Sequence, residues 1–428
     1  MNKIHKGLVI LPVLFFLILG CGRQEGSSPS AAGKKEICFF TMQLRPTFDP
    51  YFLELFQEFE KIHPDVKIIW MDYPAQDYDT KILTSFMGKE PPDVINLAPQ
   101  MLPNFLSRQT LLPLEPLVSQ EVRDSYLPNI LKDACQMGGK TWAVPWYLAT
   151  AVTMCNMKIF EEAGLSEKDI PQTFEQMKDA AKIIRKKTDK FAFFPIYTEA
   201  GAMRGHLNDA GVPILDPEGK RAIFNTPKGV AVLKFWTDFY KEGLAPSEAL
   251  TAMHRRPIEL YKSGRLAIFH SGPQFLKHVK SDAPDVYKNT VVRPRILWKD
   301  YEIYTIDVHI LAVSSKTKYP ELASEFAAFV TNAYNQLKFC RLTTIIPSVT
   351  KATEDPYFTA VENTPEGLAR KISAEEVKKG IVVRTPEKHS GKLFRAMDQL
   401  MEKICLGEIT PEQGLKQAED RWNEILAE

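Results

Sequence analysis

Apolar residues along this chain alternate between two spacings. Ile37-Cys38-Phe39-Phe40-Thr41 is a short continuous apolar run, the pattern of a buried strand. Asp49-Pro50 then reads as a helix N-cap with proline at the first helical position. Phe52, Leu55, Phe56, Phe59 and Ile62 follow at helical spacing until His63-Pro64-Asp65 ends the pattern. Val66 to Met71 predicts a second strand, and Asp93 to Leu97 a third. Between them Tyr78, Ile82, Leu83 and Phe86 predict a helix closed by Gly88. Strand, helix, strand, helix, strand is the α/β alternation, for which a parallel sheet is expected.

The alternation returns downstream. Thr173-Phe174-Glu175-Gln176 is a capping box, opening a helix with Met177, Ala180, Ala181 and Ile184 inward. Thr226-Pro227 opens another, with Val230, Leu233, Trp236 and Tyr240 on one face. Thr305 to Val313 reads as a strand, and Leu322, Ala323, Phe326, Ala327 and Val330 as the face of the next helix. Thr410-Pro411-Glu412-Gln413 starts a last helix carrying Leu415, Trp422, Ile425 and Leu426.

The first residues follow a different rule. Lys3 and Lys6 precede an apolar stretch from Leu8 to Leu19, which is short of the ~20 residues a membrane span needs and fits a secretory signal. Ile18-Leu19-Gly20-Cys21 resembles a bacterial lipobox. By that resemblance residues 1–20 are a lipoprotein signal peptide, and Cys21 is lipidated and becomes the new first residue. Residues 21–36 hold Gly, Ser, Ala and charge without apolar periodicity, and read as a flexible tether. The five later cysteines, Cys38, Cys135, Cys155, Cys340 and Cys405, are widely and irregularly spaced, which gives no disulfide framework and no CxxC.

Composition narrows the classes. Of 428 residues, 44% are hydrophobic and 25% charged, as in a folded soluble chain rather than a disordered or polytopic one. Lys plus Arg number 54 and Asp plus Glu 53, so no electrostatic footprint for nucleic acid exists. Six tryptophans, 14 tyrosines and 25 phenylalanines exceed what stands out as strand or helix core, so some are candidates for a binding site.

Four ordered segments carry a family resemblance. They are FQEFEKIHPD (56–65) leading to GKEPPDV (88–94), GKTWAVPWYLATAVTMCNMKIFEEAGL (139–165) with PQTF (171–174), YKSGRLAIFHSGPQ (261–274), and Gly407–Glu412 with the final helix. Together they resemble the family 1 extracellular solute-binding proteins of ABC importers, the maltose-binding-protein-like group. The resemblance implies a two-lobed periplasmic-binding-protein-like fold (type II), with interleaved α/β lobes joined by hinge crossings. Lobe one would comprise residues 37–145 plus 307–352, and lobe two 146–306 plus 353–428. It further implies a sugar or oligosaccharide ligand, delivery to ABC permease transmembrane subunits, no catalysis, no cofactor and no metal, with a monomer as the default. Asn156-Met157-Lys158, Phe275 and Thr305–Ile310 depart from the family pattern, the last two where its sugar contacts are common.

Open α/β lobes bind ligands at the carboxyl ends of their strands. That rule selects Gln43, Leu44 and Arg45 after the first strand, Trp70, Asp72 and Tyr73 at the second, and Pro99 and Gln100 after the third. It adds Trp146 and Tyr147 at the first crossing, Tyr197, Glu199 and the stretch Arg204–Asp209, then Ser271-Gly272 and Phe275, and Asp307 and His309 at the second crossing. A pyranose offers an apolar C–H face to aromatic rings and a ring of hydroxyls to Asp, Glu, Asn, Gln and Arg. Trp236, Trp298 and Trp422 read as core or lobe surface. Convergence of two among Arg45, Arg204 and Arg341 would point to an anion such as a uronate or a phosphorylated polyol. A polyamine or ferric ion are other cargoes of such a scaffold, and a secreted carbohydrate-active enzyme is the competing class. Ser315-Lys316-Thr317-Lys318 contains S-x-x-K without its companion motifs, and neither G-x-S-x-G, H-E-x-x-H nor a Walker A sequence occurs.

Overall fold

The computed structural model describes residues 33–428 apart from 75–77, 89–90, 200, 217, 252–254, 361 and 384–388. The signal peptide and Cys21 lie outside the described residues. Lys35 and Glu36, read from sequence as tether, instead begin β1 (Lys35–Met42). Their backbone registers with Val66 and Lys67, so the ladder reaches beyond the apolar run.

The first sheet grows from the alternation the sequence announces. Helix α1 (Asp49–Ile62) buries Tyr51, Phe52, Leu55, Phe56 and Phe59. It is followed by β2 (Val66–Tyr73), α2 (Tyr78–Ser85) and β3 (Val94–Leu97). Strands β1, β2 and β3 pair in parallel, as expected of βαβ units. The rest of the sheet differs from the parallel expectation. Strand β4 (Ala143–Ala149) turns at Thr150-Ala151 directly into β5 (Val152–Asn156), which belongs to a second sheet.

Around β5 a second core assembles. Helices α3 (Phe174–Lys187), α4 (Ala202–Asp209), α5 (Pro227–Lys241) and α6 (Arg256–Lys262) lead to β6 (Ile268–Ser271), α7 (Phe275–Asp282) and β7 (Thr290–Arg293). β5 pairs antiparallel with both β6 and β7. The Thr173 and Thr226 hydroxyls accept from the Gln176 and Gly229 amides, the caps their sequences predicted.

The chain then returns. Strand β8 (Asp307–Val313) inserts antiparallel between β3 and β4 in the first sheet, followed by α8 (Pro320–Val330), α9 (Ala333–Cys340) and the short β9 (Ile346–Pro347) beside β4. The six-stranded order is β9-β4-β8-β3-β1-β2. Helices α10 (Pro365–Glu376), α11 (Ser390–Leu406) and α12 (Pro411–Leu426) close the chain. Leu393, Met397, Leu415 and Trp422 complete the second core.

Two separate cores result, each drawing on distant segments. Their membership shifts the predicted boundaries. Trp146, Tyr147, Leu148, Ile306 and Phe358 pack in the first core, although the sequence placed them in lobe two. Trp146 to Leu148 do so because β4 stays in the first sheet to its end, and the chain crosses at Thr150-Ala151. Trp236 and Trp422 are core, and Trp298 packs against it, as read from sequence. Cys135, Cys155, Cys340 and Cys405 are buried thiols without a disulfide.

Candidate functional site

A cleft of about 1030 Å³ opens between the two cores. It sits at the top of the range for small-molecule sites. The first core lends Gln43, Leu44, Phe48, Pro99, Gln100, Tyr147 and Phe339. Across from them stand Arg204, Arg255, Glu259, Lys262, Gln274, Phe275, His278 and Phe394. Thr305 to His309 forms the floor, where the chain passes between the sheets.

The floor carries an aromatic platform. Tyr147 and His309 face each other across the β4–β8 pairing, with ring centroids 4.4 Å apart and planes inclined by 14°. A register shift between His309 and Ile310 lets Tyr147 oppose His309 while Ile310 already opposes Pro145. His309 Nδ1 lies 3.2 Å from the Asn96 side-chain amide, and burial pushes its imidazole down to about 4. Phe275 opens α7 from the opposite wall, its ring 5.7 Å from Phe269. Gln274 folds over Gly272, where a Cβ would stand 2.2 Å from Gln274 Oε1. Asp307 remains solvent-exposed, yet the cleft walls raise its carboxyl and Arg295 opposes that rise.

Of the residues chosen from sequence, Gln43, Gln100, Tyr147, Phe275, Asp307 and His309 line the cleft, with Arg204. Trp146, Trp70, Asp72, Arg45 and Glu199 do not. Trp146 neighbours Tyr147 on a strand, and adjacent strand residues face opposite ways. Its ring is fully buried among Phe39, Phe52 and Phe339. Trp70 packs on Phe52 and Phe56 of α1 and donates Nε1–H to the Thr41 hydroxyl. Arg45 pairs with Asp49 and lies over the Trp70 ring. Arg341 pairs with Asp355, so the three arginines do not converge. Glu199 lies outside the lining; it adds to the rise that burial chiefly causes in the Asp398 carboxyl. Tyr197 is buried and donates to the Trp236 carbonyl.

Asp72 holds the loop instead of the ligand. Its carboxylate accepts from the Thr41 hydroxyl (2.6 Å) and from the Leu44 and Arg45 amides (3.0 and 3.1 Å). This fixes Gln43, whose φ of +58° is uncommon outside glycine, at the cleft edge. Asp72→Ala leaves those donors without their acceptor. The expected loss is about 1–3 kcal/mol, with faster hydrogen exchange at the Leu44 and Arg45 amides. Unchanged exchange there would refute the loop-holding role.

Three imidazoles near the cleft are neutral by burial: His206 and His309 are pushed to about 4, and His270 to about 3. Burial pushes the Asp209 carboxyl up to about 6. Each such histidine binds a proton on unfolding between its folded value and about 6.5. Its contribution to stability is therefore present above about 6.5 and lost as pH falls towards 4. Asp209 has the opposite sign, contributing below about 4 and losing its contribution as pH rises through 6. NMR titration is expected to show these three imidazoles still neutral at a pH of about 5.5, a full unit below the free value. Protonation of all three at that pH would contradict the burial.

Sequence reasoning missed Phe48, Arg255, Gln274, His278 and Phe394. Phe394 lies on α11, ahead of the Gly407–Glu412 segment, and no local pattern marks it. Among the described residues no group of three or more His, Cys, Asp or Glu could hold a metal ion. None of the described helices is long and apolar enough to cross a membrane.

Residues 45–337 match the model of the bacterial extracellular solute-binding proteins, more than half of the chain. The chain belongs to this family. A galactooligosaccharide-binding protein of Bacillus subtilis (strain 168) is 23% identical over 415 residues, covering 94% of this chain and 92% of that one. A binding protein of Brucella abortus (strain 2308) is 23% identical over 263 residues, and that match spans only 62% of its length. Among solved structures, a protein of Synechococcus sp. MITs9220, described as an oligosaccharide periplasmic-binding protein, superposes with a TM-score of 0.82 at 29% identity. The match covers 91% of this chain and 99% of that one. The cyclic alpha-maltosyl-1,6-maltose binding protein of Arthrobacter globiformis shares the fold at 20% identity and a TM-score of 0.79, over 92% and 99% of the two chains. This solute-binding protein thus has the type II periplasmic-binding fold that its motifs implied.

Proposed function

We propose that this chain is an extracytoplasmic receptor that captures a sugar or oligosaccharide between its two cores and delivers it to an ABC importer permease. The observation that carries this reading is the cleft's lining: a stacked Tyr147–His309 pair and Phe275 on facing sides, with Gln43, Gln100, Gln274 and Asp307 between them. Aromatic faces suit pyranose C–H surfaces, and amides and carboxylates suit hydroxyls. Relatives that bind oligosaccharides share the architecture. The cores act as lobes that pivot at Thr150-Ala151 and at the Thr305 crossing. Ligand contacts available only in the closed arrangement shift the population towards it. The receptor works as a monomer, without cofactor or turnover, and Cys21 carries the lipid that holds it at the membrane of the cell surface or periplasm.

Titrating a panel of mono- and oligosaccharides while following tryptophan fluorescence and small-angle scattering tests this. A binding sugar is expected to compact the protein and to be recovered intact. Silence of both signals across the panel, or release of cleaved product, would overturn the reading. Mass spectrometry of the N-terminal peptide from membranes, compared with Cys21→Ser, checks the anchor: a protein still membrane-bound after that substitution would rule it out.

A further inference from the structure

The charges of the cleft are unevenly answered. Lys262 is met by Glu259 at 2.8 Å and Asp282 at 3.0 Å. Asp307 and Asp209 both feel Arg295, which opposes the rise of their carboxyls. Arg255 forms no ion pair among the described residues. Arg204 is the sharper case. It projects from α4 into the cleft with its guanidinium 4.9 Å over the Phe394 ring. Its Nε and Nη1 are buried and have no acceptor. Asp209 acts on it only through space and makes no ion pair with it. Guanidinium N–H groups taken from water and left without an acceptor are costly, and Arg204 as a whole is half-buried, with Nε and Nη1 enclosed. On the same wall Gln274 Oε1 is buried without a donor. The cleft therefore presents a charged donor awaiting an acceptor and a neutral acceptor awaiting a donor.

A sugar hydroxyl can donate to Gln274 Oε1. A hydroxyl at Arg204 would occupy one N–H and leave the charge unanswered. A carboxylate answers both, with charge-assisted hydrogen bonds roughly twice as strong as neutral ones. We infer that the solute is an acidic saccharide, whose uronate carboxylate seats on Arg204 while its ring lies on the aromatic floor. This rests on the saccharide reading above and narrows it.

Isothermal titration with matched pairs tests it: digalacturonate against galactobiose, and cellobiouronate against cellobiose, each at low and high salt. In at least one pair the uronate is expected to bind about tenfold or more tighter, with a preference that shrinks as salt screens it. Arg204→Gln, with folding checked by thermal melting, is expected to bring the ratio of the two affinities towards one. Neutral members binding as tightly as their uronates, or a ratio untouched by Arg204→Gln, would overturn the acidic assignment and leave the saccharide reading standing. Binding of no member would overturn both. The wild-type ratio is decisive even where the variant does not fold.

Discussion

Arg295→Ala is expected to lower the stability of the protein by about 3–5 kcal/mol, the largest single effect foreseen outside the aromatic cores. Arg295 is nearly fully buried, with Nε 3.4 Å from Glu376 on α10. Its Nη1 and Nη2 donate to the Thr305 hydroxyl and carbonyl, both at 2.8 Å. One guanidinium thus ties the segment leaving β7, the crossing strand and the helix beneath it. Removing it strands the Glu376 carboxylate, which burial already raises and Arg295 holds back. Equilibrium urea unfolding measures the loss. Two further results separate a stranded charge from simple loss of packing. The deficit should narrow as pH falls, because Glu376 can then take a proton. Arg295→Met with Glu376→Leu should recover much of it, because both charges leave together. A deficit independent of pH and unrelieved by the double substitution would dismiss the charge explanation.

Trp146 and Tyr147 should part company when each is replaced. Trp146→Ala opens a cavity among Phe39, Phe52 and Phe339, with an expected cost of about 3–5 kcal/mol. Trp146→Phe, milder, should leave ligand affinity unchanged. Tyr147→Ala removes half of the stacked pair on the cleft floor. Its expected signature is a roughly tenfold to hundredfold weaker affinity for the proposed saccharide, on the scale of ~1.5–3 kcal/mol for a large buried side chain. Loss of affinity in Trp146→Phe, with Tyr147→Ala binding normally, would invert the assignment of the two faces.

The contrast between these neighbours shows how far the sequence could be read. Element order, helix caps at Thr173, Thr226 and Thr410, and the two-lobed architecture were legible because they depend on local spacing and on motif order. The strand-end rule selected Gln43, Gln100, Asp307 and His309, which all line the cleft. The errors lie where direction matters. Trp146 and Trp70 sit within the right strands but face inward, and the parity of a strand relative to its helices cannot be read before the sheet is assembled. Asp72 has the chemistry of a sugar ligand but is consumed by loop amides that no motif announces. Arg255 and Phe394 reach the cleft through packing of segments far apart in the chain, while Gln274 was passed over beside Phe275. The family pattern at Thr305–Ile310 was also broken, and there the chain carries His309, which stacks on Tyr147.

The insertion of β8 between β3 and β4 has a consequence for how the chain is made. Its residues come more than 150 positions after β4, yet they occupy the middle of the first sheet. Synthesis up to residue 306 therefore yields β3 and β4 with an empty place between them and unpaired backbone on both. Contacts of such long sequence separation form slowly, because loop-closure entropy must be met before they contribute. The first core is finished only after most of the second has emerged, and the second waits in turn for α11 and α12. A chain growing from its N-terminus therefore lacks part of both cores until late in its synthesis.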